Sequence, residues 1–159
     1  MSHGRLVAIL GVTLSLLGSG ALLLRADEGG VQSVDAAWAK AMEAGDLEAV
    51  VACYSPEVTA WFAGKPEVKG AKEVRAVYQA LFAARTVKSV SFSDTHYQTL
   101  GDRSVGWGRF SVTSVPKAGG AVSVSSGRFT EVAERRGGRW VYLIDHSSAE
   151  PTPAAPRQP

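Results

Sequence analysis

Residues 127–148 read GRFTEVAERRGGRWVYLIDHSS, and this stretch decides the fold. Two runs with alternating apolar and polar residues flank the pair Gly137-Gly138, and two glycines at such a point can supply the positive φ angles of a tight hairpin. The pattern therefore predicts two long antiparallel strands. Strict alternation of side chains predicts one shared face in the second strand for Trp140, Tyr142, Ile144 and His146.

The same two-residue period covers the second half of the chain. It predicts four long strands, over about 87–99, 105–115, 121–134 and 139–147, which turn residues separate in the manner of an antiparallel meander. A shorter β-branched and aromatic run, 58–62, predicts one strand earlier in the chain.

Apolar residues recur at helical spacing in the first half and predict three helices, at 31–44, 47–54 and 71–84. Gly45 suits the left-handed position after the first helix, and Asp46 suits the N-cap of the second. Helices that precede an antiparallel sheet indicate an α+β domain. We therefore expect three N-terminal helices packed on a curved, mostly antiparallel sheet, with a hollow beneath them.

The two ends of the chain differ from this middle. Residues 1–26 predict a signal peptide, because an apolar run is followed by small residues at which a signal peptidase cuts. Since the apolar character continues to Leu24, residues 6–24 could instead anchor the chain in a membrane. We expect a periplasmic or secreted domain over 27–148. Residues 149–159 hold four of the seven prolines and predict a disordered tail.

Charge and cysteine content exclude several functions. Without Arg5 and Arg25, which lie in the signal segment, the bases equal the 15 acids in number, so no nucleic acid partner is expected. Cys53 is the single cysteine, which precludes an internal disulfide. No Cys/His spacing resembles a zinc site, and we expect neither a metal nor a cofactor.

Several short segments resemble one known family when they are taken in their order and spacing. They are AGDLEAVVACY at 44–54, Gly70, the triplet 127–129, and Trp140 followed by His146 and Ser148. Over about residues 31–148 the chain resembles a SnoaL-like domain of the nuclear transport factor 2-like superfamily. The resemblance implies a cone-shaped α+β fold, a pocket between the helices and the concave side of the sheet, and a homodimer through the outer face.

The family does not fix a function, because its members include polyketide cyclases, ketosteroid isomerases, dehydratases and binding or assembly modules. Counted from the Ala-Gly-Asp segment, the acidic Tyr of ketosteroid isomerase falls at Trp38 and its basic Asp at Phe62. Neither residue can perform that chemistry. A steroid isomerase mechanism is therefore not expected unless the base lies on another strand.

His146 is the first candidate for a catalytic residue, since an imidazole titrates near neutral pH. The alternative is a structural imidazole that is hydrogen-bonded to backbone or to Ser148. Asp94 and Asp145 are further candidates for a base, although an isolated carboxylate in a strand is usually solvated or paired with Arg. Alternation places Asp145 on the face opposite His146, which excludes a dyad of the two.

The candidates for pocket residues are aromatic or cationic. Arg109 and Arg128 would clamp a carboxylate if they faced inward, because the guanidinium donates two parallel hydrogen bonds. We expect Arg128 and His146 to project into the hollow. The aromatic candidates are Trp38, Tyr54, Trp61 and Trp140.

Three functions are compatible with this pattern. The first is binding of a small, partly apolar ligand whose carboxylate meets Arg128. The second is a lyase, isomerase or cyclase that uses His146 with Asp94 or Tyr54. The third is an assembly module whose pocket is filled by Trp and Phe side chains.

Overall fold

A computed structural model describes residues 29–150. The predicted signal segment, 1–26, and the tail from residue 151 lie outside the described residues. The elements follow the order α1 (Gly30–Ala44), α2 (Leu47–Ala52), β1 (Tyr54–Trp61), β2 (Val68–Lys69), α3 (Gly70–Ala84), β3 (Arg85–Leu100), β4 (Arg103–Pro116), β5 (Ser123–Arg136) and β6 (Arg139–Ala149). The predicted α+β class, with three helices on a curved sheet, is confirmed.

The sheet has six strands in the order β2-β1-β6-β5-β4-β3. Strands β3 to β6 form the predicted antiparallel meander, while β1 pairs with β6 in parallel. The hairpin between β5 and β6 turns at Gly137 and Gly138, whose φ angles of 58° and 80° are the positive values that the glycine pair predicts. Ala149 is the last residue of β6, one residue past the boundary that the sequence predicts at 148.

Local signals set the first helix boundaries. Gly45 adopts the left-handed conformation with φ 67°, and its N–H donates back to the last turn of α1. The Asp46 carboxylate accepts from the Ala49 N–H at 3.0 Å and caps α2. The second helix ends at Ala52, before the predicted Tyr54, because Tyr54 already pairs with β6. Tertiary pairing overrides the local helical period there.

The core lies between the helices and the concave side of the sheet. Val31, Val34 and Met42 of α1 are buried there, together with Val50 of α2 and Val74 of α3. Among residues 29–150, no helix has both the length and the apolar character needed to cross a bilayer.

A β-bulge in β6 changes which side chains face the helices. Ile144 pairs with Val132, and Tyr142 pairs with Ala133, so Leu143 is an extra residue opposite β5. One extra residue moves all later side chains to the other face. Tyr142 and Asp145 are therefore both buried, whereas Ile144 and His146 are exposed. The predicted common face of Trp140, Tyr142, Ile144 and His146 is wrong for its last two members.

Candidate functional site

A cavity of about 360 Å³ lies between α1, α3 and the concave side of the sheet. Its walls are mainly aromatic, because every second residue of β3, β4 and β5 points toward the helices and several of these are Phe. The aromatic lining consists of Trp38, Phe62, Tyr78, Phe92, Phe110, Phe129 and Tyr142. Such a concave, mostly apolar space with a few polar groups is the usual form of a small-molecule site.

Two carboxyl side chains form one part of the cavity wall, which we name the carboxyl end: Glu131 of β5 and Asp145 of β6. These residues are directly opposite each other in the strand pairing. Each is only 6% exposed. A carboxyl group that deep in an apolar wall is costly to ionise, so its protonation depends on the groups around it.

The Asp145 carboxyl titrates within the physiological range. Burial raises its pKa to about 6, although a hydrogen bond from Tyr54 partly counters this by stabilising the carboxylate, and the charge of Asp35 raises it further. The Tyr54 hydroxyl donates to Asp145 Oδ2 at 2.9 Å. A pKa near the working pH is what a general acid or base requires.

A chain of hydrogen bonds leads from the cavity wall to Asp145. The Trp38 indole Nε1–H donates to the Tyr78 hydroxyl at 3.0 Å, and the Tyr78 and Tyr54 hydroxyls are 2.7 Å apart. When Asp145 is ionised, the Tyr54 proton is directed to it, so the Tyr78 proton must be donated to Tyr54. All three donors then point toward Asp145.

A third carboxyl group lies behind the first pair. Asp35 of α1 accepts from the Tyr142 hydroxyl at 2.6 Å and from the Tyr97 hydroxyl at 2.8 Å. Burial raises the pKa of Glu131 well above its ordinary value, and the charge of Asp35 and a hydrogen bond to it act in the same direction. Because Asp35 also accepts from two tyrosine hydroxyls, the proton that the two carboxyls share lies on Glu131, which donates it to Asp35.

Three carboxyl groups in one region suggest a metal site. Among residues 29–150, however, no three His, Cys, Asp or Glu side chains are arranged to hold a metal ion. The tyrosine hydroxyls and the shared proton satisfy these carboxyls instead.

Of the predicted pocket aromatics, Trp38 lines the cavity. Tyr54 is buried and contacts the site through its bonds to Asp145 and Tyr78. Trp140 is buried away from the cavity, where its ring lies against Gly29 and under the Arg135 guanidinium. Trp61 is 42% exposed, and it borders a surface groove outside the cavity.

The two predicted arginine clamps lie on the convex face. Arg128 and Arg109 border a shallow groove there with Asp94, and Arg109 Nε is 3.2 Å from Asp94 Oδ2. The prediction that Arg128 enters the hollow is wrong, because Gly127 and Phe129 occupy the inward positions on either side of it. Asp94 has no access to the cavity from that face.

His146 is exposed and lies on the convex side, paired in register with Trp61. The prediction that it projects into the hollow is therefore wrong, and the cause is the extra residue Leu143. The same bulge brings Asp145 inward, which strict alternation had excluded.

Sequence reasoning missed Asp35 and Glu131, although a signal for each is present. Asp35 follows Val31 by four residues and precedes Trp38 by three, so it lies within the apolar stripe of α1. Glu131 lies between Phe129 and Ala133 in the inward alternation of β5. A carboxylate on an apolar face has to find donors, and tyrosines are what it finds here.

The model of the SnoaL-like domain matches residues 35–143. Comparison with curated proteins gives no match. Several solved structures are similar in fold. A ketosteroid isomerase-like protein from Erwinia carotovora is 20% identical with a TM-score of 0.66, and the match covers 79% of this chain and 99% of that protein.

A proposed dehydratase of the nuclear transport factor 2-like family, from Streptomyces avermitilis, is 23% identical with a TM-score of 0.65, over 77% of this chain and 94% of that protein. A protein with a cystatin-like fold from Nostoc punctiforme is 15% identical with a TM-score of 0.60, over 82% and 94% of the two chains. The TM-scores establish a shared fold.

Proposed function

Because the chain belongs to the SnoaL-like domain family, we propose that it binds a small, ring-containing, largely apolar molecule in the cavity beneath its helices. The observation that carries the proposal is the cavity itself, about 360 Å³ of space walled by aromatic rings with two buried carboxyl groups at one end. An assembly module would fill this space with its own side chains. Burial of a ring against these walls would supply the affinity, and the carboxyl end would orient the ligand.

A thermal-shift screen of ring compounds tests the proposal, because a ligand that binds the native state raises the melting temperature. A blocked variant makes the screen specific. Ser125 lines the cavity, whereas its neighbour Ser126 is on the other face of β5. Ser125→Trp should remove the shift produced by any hit, and Ser126→Trp should retain it. A hit that survives Ser125→Trp binds elsewhere and contradicts the proposal.

A second candidate function is proton transfer on the bound ring, and the position of Asp145 favours it. Its carboxyl lines the cavity, has a pKa of about 6 and is oriented by the Tyr54 hydroxyl. Two structural relatives carry the names of an isomerase-like protein and a proposed dehydratase. Asp145, on β6, would supply the base that the residues at Trp38 and Phe62 cannot.

Two variants separate this idea from the earlier assignment to His146. Once a substrate is found, Asp145→Asn should reduce turnover by at least about a hundredfold, the usual contribution of a general base. His146→Gln, on the convex face, should leave turnover unchanged. Normal turnover in Asp145→Asn together with reduced turnover in His146→Gln would assign the proton transfer to His146 instead.

Export and dimerisation complete the proposal. The apolar segment at 6–24 supports export to the periplasm or medium, and the mass of the purified protein will reveal whether it is cleaved. The convex face carries Trp107 and Ile144, which are 41% and 36% exposed, and supports a homodimer packed through that face. Sedimentation of Trp107→Arg should give a monomer if this is correct.

A further inference from the structure

The protons available at the carboxyl end decide what kind of ligand group can be accepted there. A buried polar group of the ligand has to find a complementary partner, because an unpaired donor or acceptor costs more than the bond would contribute. The donors around Glu131 and Asp145 therefore have to be counted first.

The donors on the α3 side are already used. Trp38 can only donate, and its N–H is bound to the Tyr78 hydroxyl. The Tyr78 proton is directed to Tyr54, whose own proton is directed to Asp145 Oδ2. None of these three groups has a proton left for a ligand while Asp145 is ionised, and Asp145 Oδ1 remains as an acceptor.

The donors on the α1 side are also used. The Tyr142 and Tyr97 hydroxyls both donate to Asp35. Glu131 Oε2 is buried without a donor among residues 29–150 as long as both carboxyls are ionised, and the proton that Glu131 shares with Asp35 resolves this. The other oxygen of Glu131 is left as an acceptor at the cavity wall.

We propose that the cavity selects ring compounds bearing an amine or ammonium group, whose N–H groups donate to Asp145 and Glu131, and that it rejects ring carboxylates. The inference rests on the proposed ligand-binding function and specifies its ligand class. An ammonium group supplies three donors to the acceptor oxygens of Asp145 and Glu131, and the neighbouring donor in the wall is the Ser147 hydroxyl, whose oxygen accepts from the Ala63 N–H. A carboxylate placed there would face the Asp145 charge, which a single donor, the Ser147 hydroxyl, does not offset.

The cavity also has a cationic lining residue, on the β3 side. Arg85 donates to the Ser114 hydroxyl at 2.8 Å and to the Ser123 hydroxyl. Its guanidinium is thus already engaged by two serines, and Arg85 is half-buried. An acid that bound at Arg85 would contradict the inference, so an acid has to be among the probes.

Three compounds with the same two-ring skeleton test the inference: aminoindane, indanone and indane carboxylate, each substituted at the same ring carbon. Titration calorimetry with the full-length chain at neutral pH should give the amine at least about tenfold tighter binding than the ketone, which carries only an acceptor. The carboxylate should not bind. Tighter binding of the ketone or the carboxylate would overturn the inference and leave the proposed binding function intact. Failure of all three to bind would count against both.

Paired variants locate the selectivity. Asp145→Asn introduces an amide donor and removes the charge, so it should weaken amine binding at least about tenfold. The dissociation constants of the amine and the ketone should then be similar. Asp94→Asn, on the convex face, makes the same chemical change and should alter neither affinity. If Asp145→Asn loses its far-ultraviolet circular dichroism, the wild type at pH about 5 replaces it, because protonation of Asp145 removes the same charge and should weaken amine binding by about tenfold. Unchanged amine affinity in the folded variant would overturn the inference.

Discussion

Glu131 and Asp145 face each other across the β5 and β6 pairing, and both carboxyl groups are buried against one cavity. Their environments differ. Glu131 contacts Asp35 and has its pKa raised well above the ordinary value, whereas Asp145 accepts from Tyr54 and has a pKa of about 6. The two carboxyls therefore hold their protons differently, Glu131 through its hydrogen bond to Asp35 and Asp145 with a pKa of about 6. This difference between the two carboxyls determines which of them can exchange a proton with a ligand.

The first prediction concerns the pH dependence of stability. The pKa of Asp145 is raised from 3.8 to about 6 on folding, so the folded state holds its proton more tightly than the unfolded state. The free energy of unfolding should therefore fall as pH rises from about 4 to about 6, by about 3 kcal/mol from this group. Urea unfolding followed by tryptophan fluorescence at several pH values measures it.

Asp145→Asn should flatten that fall, because the asparagine does not ionise. Asp94→Asn should retain the slope, since Asp94 is exposed on the convex face. If both variants keep the wild-type slope, another group is responsible, and the raised pKa of Glu131 makes it the next to test.

The second prediction concerns Tyr54, whose hydroxyl stabilises the ionised form of Asp145. Tyr54→Phe should raise the pKa of Asp145 above about 6, and should cost about 1–3 kcal/mol because a buried acceptor loses its donor. A titration of the carboxyl carbon by NMR reads the pKa directly. A lower pKa in the variant would show that Tyr54 does not donate to Asp145.

Local rules predicted the features that depend on neighbours in sequence. Gly45 ends α1 and the Gly137-Gly138 pair makes the hairpin because backbone conformation alone decides both. The face of Asp145 and His146 could not be predicted in this way. The bulge at Leu143 is a feature of the pairing between β6 and β5, and a rule of strict alternation along one strand does not predict it. The inward position of Asp35 was predictable from the apolar stripe of α1, but the tyrosines that donate to it come from distant strands.

The third prediction tests a glycine in the segment that decides the fold. A Cβ on Gly127 would lie 2.0 Å from the Ser148 carbonyl oxygen and 2.9 Å from the Phe110 ring. A backbone carbonyl cannot move aside as the end of a flexible side chain can. Gly127→Ala should therefore lower the free energy of unfolding by about 1–3 kcal/mol. The midpoint of urea unfolding measures the loss, and Ser126→Ala is the matched control. A midpoint that does not change would show that β5 and β6 can separate at this position without cost.

The fourth prediction follows from the acceptor character of the carboxyl end. The titratable groups around Asp145 are Tyr54 of β1, Tyr78 of α3, Asp35 of α1, Glu131 of β5 and Tyr142 of its own strand. The pKa of Asp145 itself is about 6. Protonation of Asp145 removes the charge that an ammonium ligand would contact, so the affinity for aminoindane should fall as pH drops below about 6, by up to tenfold per pH unit.

Calorimetric titration from pH about 5 to about 8 gives the profile, and proton uptake by the buffer identifies the group, since binding of a cation should release a proton below pH 6. Tyr54→Phe should shift the midpoint of the profile upward, in the same direction as the Asp145 pKa. A flat profile for aminoindane, with affinity retained at pH about 5, would mean that the ammonium group does not contact Asp145, and the ligand would have to be oriented by the aromatic walls alone.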